Sequence, residues 1–363
     1  MTLTYRLFFG LLKNALFDTE IGVSDSENCN TETLVEVLRI AKKQTVFALV
    51  FDAIDKNHLQ LPQQAVLQSV VMVEQIRKHH ILLNGELKAL AELLDTHNIP
   101  YVVVKGQVVG TCYSQPHLRQ GGDIDIFISP THFEEAITTI HQAWNAEMDD
   151  GDSDKHIHFL HNHVSFEIHH SLTHFYNKKQ DAYWEKILAE DTTSIVTIDG
   201  YNIKALSPTL HTLYVFLHLY HHLMELGVGL RQFCDLALIH HRCSLDIDKD
   251  RLQQHLQKVG LERAYRACGH ILIRHLGLPA DEFPYQLSDK DDAYGTKLLD
   301  VVLFRGNMGF YNKRFAGMGW RHNLESFFIK CSHFFKFFPL APMYSTRWIL
   351  NQTLRKVRIK MLK

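Results

Sequence analysis

Two aspartates one residue apart, Asp123 and Asp125, have the types and spacing to do chemistry. They alternate with Ile124 and Ile126 in a run that reads as a strand with one buried face. Both carboxylates then leave the same face, about 7 Å apart by strand rise. Side by side they repel and raise each other's pKa, a penalty that a divalent cation removes. Hard Mg²⁺ prefers such oxygen ligands together with substrate phosphates. A third acid is in phase. In Val164-Ser165-Phe166-Glu167-Ile168-His169 the apolar residues form one face, and Ser165, Glu167 and His169 form the other. With the two strands adjacent, Glu167 joins the aspartates, and three acids would hold two metal ions. One would lower the pKa of an attacking hydroxyl and the other would neutralise a triphosphate. Gly121 and Gly122, just before the aspartates, leave room for a nucleotide to approach the backbone.

These residues need a scaffold, and the apolar pattern supplies one. Residues 1–97 carry a helical period, as in Leu34, Val35, Leu38 and Ala41 and again in Ile81, Leu82, Leu87, Leu90, Leu93 and Leu94. Asn98 and Pro100 close that part, and Tyr101–Val104 is a short apolar strand. Gly106 opens a helical segment to about Tyr113, which Ser114-Gln115-Pro116 breaks. Pro130 starts a helix to about Trp144, followed by the turn-rich Asp149-Asp150-Gly151-Asp152. Strands are expected near Ile157–Leu160 and Val164–Ile168. A hairpin, Ser194–Ile198 and Tyr201–Ala205, is joined by Asp199-Gly200, a favoured type I′ pair. Ser207-Pro208 is a helix start. Helices then run to the end, with breaks near Gly227, Gly260, Gly277, Pro279, Pro284 and Pro339. The expected layout is a helical amino part at 1–97, an α/β core at 98–206 and a helical carboxyl part at 207–363.

At these residues the chain resembles the DNA polymerase beta-type nucleotidyltransferase superfamily. More narrowly, it resembles an uncharacterised bacterial nucleotidyltransferase family whose core runs Lys-Gly, then Tyr, Pro and Arg, then Gly-Asp-Ile-Asp. Those positions are Lys105-Gly106, Tyr113, Pro116, Arg119 and Gly122-Asp123-Ile124-Asp125, and the family's later acid-x-His element is Glu167-Ile168-His169. A stretch from His218 to Asp235, with Gly229-Leu230-Arg231, resembles its carboxyl part. The resemblance implies an α+β fold, a small mixed β-sheet core with helices on one side, flanked by the two helical parts. It also implies two-metal transfer of a nucleoside monophosphate from an NTP to a hydroxyl, with two Mg²⁺ ions (Mn²⁺ as substitute) and release of pyrophosphate. Asp123, Asp125 and Glu167 are then the catalytic metal ligands. Lys105, Gly106, Arg119, Gly121 and Gly122 form the nucleotide side.

The chain departs from the superfamily at one place. Gly-Ser or Gly-Gly usually opens the helix that holds the triphosphate, and here Gly106 is followed by Gln107. Backbone N–H groups at that helix start could still bind phosphate, with Lys105 or Arg119 supplying positive charge. The departure also motivates a rival reading, a non-catalytic protein that keeps the fold and binds nucleotide or a partner. Arg119 could instead pair with Asp123 or Glu167, and Lys105 could be a solvated strand end. His169, Arg231 and Asp235 are further cleft candidates. The last two are spaced as an i,i+4 helix pair, or would act on the acceptor side with Asp235 as general base. The acceptor stays open among a small molecule, a glycan precursor, tRNA and a protein hydroxyl.

Composition sets the outer bounds. Net charge is −2, so no global field points to nucleic acid. Six scattered cysteines without a C-x-x-C pair argue against a zinc knuckle or a disulfide framework and fit a reducing cytoplasm. Leu7–Leu12 reads as an amphipathic helix, since Lys13 interrupts it too soon for a signal segment. No apolar run approaches the roughly 18–20 residues of a membrane span. Among 25 histidines, His218 and His222 share a helix face and could chelate zinc in a histidine-metal hydrolase, although no H-E-x-x-H is present. From Arg321 onward nine Lys/Arg face the single acid Glu325, among aromatics from Phe327 to Trp348. That basic end, closing in Arg355-Lys356-Val357-Arg358-Ile359-Lys360, could make weak RNA or membrane-surface contact. Its aromatics could equally belong to the helical core. The oligomeric state is left open.

Overall fold

Helical periodicity in the amino-terminal third becomes four helices: α1 (Leu3–Phe17), α2 (Thr31–Lys43), α3 (Phe47–Lys56) and α4 (Gln63–Thr96). The computed structural model describes residues 2–22, 29–149, 155–225, 227–307 and 320–350. Asn30 caps α2 by accepting from the Thr33 N–H at 2.8 Å. Leu7, Phe8, Leu11 and Leu12 turn the buried face of α1 inward, as an amphipathic helix requires.

The alternating segments become six strands: β1 (Val102–Val104), β2 (Asp123–Phe127), β3 (His156–His161), β4 (Val164–His169), β5 (Ser194–Ile198) and β6 (Tyr201–Ala205). They form one mixed sheet in the order β3-β4-β2-β1-β6-β5. Strand β2 runs parallel to β4, and β1 parallel to β6, while the other neighbours are antiparallel. Asp199 and Gly200 join β5 to β6 at φ 47° and 80°, both left-handed as a type I′ turn demands. Between β1 and β2 lie the short α5 (Gly106–Gly110) and a 3-10 turn at Pro116–Leu118; α6 (Phe133–Trp144) follows β2. Helix α6 starts three residues later than Pro130 suggests, because His132 N–H closes a turn on the Ser129 carbonyl first.

Period-two alternation explains the sheet's two faces. Val103, Ile124, Ile126, Phe166 and Ile168 pack beneath α4 (Leu83, Leu87, Leu90, Leu94) and α6 (Phe133, Ala136, Ile140), so helices cover this face. The opposite face carries the acids.

A helix that the apolar pattern does not announce, α7 (Lys178–Ala189), separates β4 from β5. Only Trp184 and Ile187 are buried along it, so its hydrophobic stripe is thin. Its signal lies in the cap. Asn177 accepts from Lys179 N–H, and Asp181 accepts from the N–H groups of Phe175 and Asn177.

The carboxyl part comprises α8 (Pro208–Glu225), α9 (Leu230–Arg242), α10 (Lys249–Val259), α11 (Glu262–His270, continued as a π-helical segment to Leu276), α12 (Asp289–Arg305) and α13 (Trp320–Phe337). A second hydrophobic cluster joins α1–α3 to these helices and holds Leu7, Phe8 and Leu11 in common with Leu236, Ile271 and Leu272. The aromatic end divides: Phe337 and Trp348 are buried, whereas Phe328 and Phe335 are 62% and 75% exposed. The side chain of Phe327, the basic segment Arg355–Lys360 and the turn from Asp150 to Asp152 lie outside the described residues. No described helix is long and apolar enough to cross a membrane. All six cysteines are free thiols.

Candidate active site

Parallel pairing of β2 with β4 sets Asp125 opposite Glu167 and Asp123 opposite Ser165. One carboxylate oxygen from each of Asp123, Asp125 and Glu167 lies within 4.8 Å of the others. Two oxygens bound across an ion at about 2.1 Å are about 4.2 Å apart, so this donor set fits a hard divalent cation. Asp125 is buried, while Asp123 and Glu167 remain partly open.

Two cationic groups hold these acids together. Lys105 Nζ lies 2.6 Å from Asp125 Oδ1 and donates to His218 Nδ1 at 3.2 Å. Lys105 is therefore buried against the cluster instead of solvated at the strand end. Its backbone sits at φ 56°, a region that costs a side-chain-bearing residue about 1–3 kcal/mol. The Lys105 N–H donates to His211 Nε2 at 3.1 Å, which helps to fix this conformation. Burial works against the ammonium, but Asp125 and the more distant Asp123 and Glu167 hold its pKa up. His169 Nε2 lies 2.9 Å from Asp125 Oδ1 and 3.3 Å from Glu167 Oε2. Burial lowers the imidazole pKa, and those two carboxylates more than restore it. In return, Lys105 and His169 overcome the upward push of burial on Asp125, and the same pair holds Glu167 down at about 2.

Histidines also form a second grouping, in which His156, Glu167 and His169 offer ligand atoms within 4.8 Å. The helical pair, the alternative zinc candidate, forms no such grouping among the described residues. His218 and His222 have ring centroids 4.3 Å apart, edge to face, but His218 Nδ1 is occupied by Lys105. Among the described residues no third ligand completes a metal group there. Burial pushes both imidazoles down, His222 to about 4, which favours their neutral forms, and His218 lines the cleft.

The expected i,i+4 pairing of Arg231 with Asp235 does not form. Asp235 instead receives two bonds of 2.8 Å from Arg119, Nε to Oδ1 and Nη2 to Oδ2, and the Tyr113 hydroxyl donates at 2.7 Å. The Arg119 fork meets both oxygens of the Asp235 carboxylate in two parallel bonds. Arg119 therefore pairs with neither Asp123 nor Glu167. Tyr113 and Arg119, together with the 3-10 turn that Pro116 begins, clamp the segment before β2 onto α9. Arg231 Nη1 turns to the Gln120 carbonyl at 2.7 Å.

The glycines differ in role. Gly106 has φ +28° and abuts the Asp123 carbonyl. A Cβ on Gly121 would come within 2.6 Å of Leu83 Cδ1, so this glycine lets α4 approach. Gly122 has nothing within 4 Å of that position and borders the cleft. Gln107, the departure, turns its amide away to Asn84 of α4, which in turn donates to Asp199 at 2.7 Å. Helix α5 is five residues long, too short for its dipole to hold an anion strongly. Lys105, Gly122, Asp123, Asp125, His218 and Arg231 are among the residues that enclose a cavity of about 50 Å³. That is space for an ion with a few waters, and anything larger must extend toward solvent. Sequence reasoning missed His211 and His218 as partners of Lys105, and nothing in their spacing pointed to it.

A family model described as an uncharacterised nucleotidyltransferase matches residues 31–277. No curated protein matches the chain. Among solved structures, the chain is similar to the crystal structure of an antigenic nucleotidyltransferase-like protein from Paracoccidioides brasiliensis. The two are 14% identical, with a TM-score of 0.33, over 53% of this chain and 92% of that one.

Proposed function

The chain belongs to the uncharacterised nucleotidyltransferase family, and from that premise we propose a Mg²⁺-dependent enzyme that moves a nucleoside monophosphate from an NTP to a hydroxyl acceptor. The observation that carries this reading is the convergence of Asp123, Asp125 and Glu167 within 4.8 Å on one sheet face. Divalent ions held there would supply Lewis-acid charge to phosphoryl oxygens and acidify an acceptor hydroxyl.

The chain's own residues do the positioning. His169 fixes the Asp125 carboxylate by donating to Oδ1, and Glu167 stays ionised far below neutral pH. Lys105 keeps an ammonium beside the acids, where negative charge gathers as a phosphoryl group is transferred. Helices α8 and α9 wall the cleft through His218 and Arg231. The inward turn of Gln107 favours this reading over a non-catalytic one, because the unusual side chain points to α4 and leaves the cleft free.

The test is label transfer. α-³²P-labelled NTPs, each incubated with the protein, Mg²⁺ and cell extract, should label a small molecule, glycan precursor, tRNA or protein. An Asp123→Asn/Asp125→Asn variant should lose at least about 100-fold of that signal. Equal labelling by wild type and variant would overturn the enzyme reading.

A further inference from the structure

Arg231 makes no hydrogen bond or ion pair to an acid among the described residues; Asp235 and Asp123 act on it only through space. The acid one turn along α9, Asp235, is committed to Arg119 and Tyr113. Of its five N–H donors, Arg231 spends one on the neutral Gln120 carbonyl, and its Nε is sealed from solvent with no partner. Burial and the neighbouring Arg119 lower its pKa, and the through-space pull of Asp235 and Asp123 only partly offsets them. A desolvated guanidinium donor without an acceptor is costly.

The position of Arg231 gives that cost a purpose. It borders the same cavity as Gly122, Asp123 and Asp125. The first N–H groups of α9 are already spent, Leu230 N–H on Gln44 Oε1 and Arg231 N–H on the Gln44 carbonyl. The helix end is thus occupied and holds the side chain in place. Across the cavity Lys105 faces Asp125 and Arg119 faces Asp235. Glu167 shares His169 with Asp125, Asp123 has no such ion pair among the described residues, and Arg231 is left for an anion. Neither the five-residue α5 nor Gln107 provides a strong anion grip.

We propose that Arg231 anchors the phosphate chain of the NTP, an inference that rests on the nucleotidyltransferase reading above. A planar guanidinium presents paired donors to phosphate oxygens, which a lysine cannot reproduce. Anchored from α9, a triphosphate would lie between Arg231 and the carboxylate-bound cations, with its neutral portion toward solvent.

Inorganic tripolyphosphate tests the anchor without needing the base or the acceptor. Calorimetric titration in Mg²⁺ should give binding by the full-length wild type, at least 30-fold weaker binding by Arg231→Gln and roughly 10-fold weaker binding by Arg231→Lys. Mn²⁺ binding followed by spin resonance should be unchanged in both variants. If Arg231→Gln fails to fold, Arg231→Lys decides, since its ammonium can still reach the Gln120 carbonyl. Wild-type affinity in the folded variant, or no tripolyphosphate binding by wild type, overturns the anchor. The two readings fail separately. Arg231-dependent tripolyphosphate binding without label transfer keeps the anchor and removes the transferase. Label transfer with an unchanged KM for NTP in Arg231→Gln keeps the transferase and removes the anchor.

Discussion

Lys105 Nζ and Asp125 Oδ1 lie 2.6 Å apart, both side chains buried, at the centre of a cluster with three carboxylates. The lysine supplies positive charge to acids whose arrangement also fits a divalent ion. Removing one partner of a buried pair costs about 3–5 kcal/mol. Lys105→Met should therefore unfold at lower temperature in EDTA, and Mg²⁺ should recover part of the loss. Thermal unfolding with and without Mg²⁺ checks this. A Mg²⁺-induced shift no larger in the variant than in wild type would sink the counter-charge role.

Arg119 and Asp235 form the second buried pair, with two parallel bonds of 2.8 Å. Asp235→Ala should cost about 3–5 kcal/mol in urea unfolding, since it strands the Arg119 guanidinium. Arg119→Lys should also destabilise, because an ammonium cannot make both bonds. A change within about 0.5 kcal/mol for Asp235→Ala, the range of an ordinary surface substitution, would contradict the clamp.

The two glycines before Asp123 should respond oppositely to a methyl group. Gly121→Ala meets Leu83 of α4 and should cost about 1–3 kcal/mol, partly relieved by Leu83→Val. Gly122→Ala meets nothing and should stay within about 0.5 kcal/mol of wild type. Thermal unfolding of the four proteins is sufficient, and equal losses at the two positions would refute the packing argument.

How far the sequence reaches is clear from these same residues. Alternation alone separates Glu167 and His169 from Phe166 and Ile168, and the register then brings Glu167 beside Asp125. Asp199-Gly200 forms its turn because the left-handed angles are a local property. Partner choice across the chain is not local. Arg119 and Asp235 are 116 positions apart, and nothing in either neighbourhood selects the other over Arg231. Helix α7 escapes the apolar pattern for a related reason: two buried side chains leave almost no stripe, and the Asn177 cap is a short polar signal. Gly121 looks like part of the ligand's approach until Leu83 arrives from α4.

Several of the 25 histidines give the fold an acid limit. Burial pushes His211 and His222 down to about 4 and His240 to about 3, against an unfolded value of 6.5. The folded state keeps them neutral, so between pH 6.5 and 4 the unfolded chain binds more protons. Stability from this source is complete above pH 6.5 and is lost as pH falls toward the folded values. Three such groups give a slope of about 4 kcal/mol per pH unit near pH 5. His169 has the opposite sign: its raised pKa adds stability that is full below 6.5 and is lost as pH rises through the folded value. One such group is outnumbered. Urea unfolding at pH 7.5, 6 and 5 should show a steep acid loss, and a flat profile would refute the buried-neutral assignment.

Helix α1 packs on α3 and α2 but also on the segment Ile271–Leu276. Phe8 and Ile271 are 263 positions apart (271 − 8) within one hydrophobic cluster. At roughly 5–20 residues per second, a ribosome needs on the order of ten to fifty seconds to span that interval. For that time α1 shows water an apolar face whose final partner has not been made. Nascent chains of this protein should thus be clients for chaperones that shield exposed apolar segments, and a stop codon placed before Ile271 should release an aggregation-prone product even though every strand of the sheet has been translated.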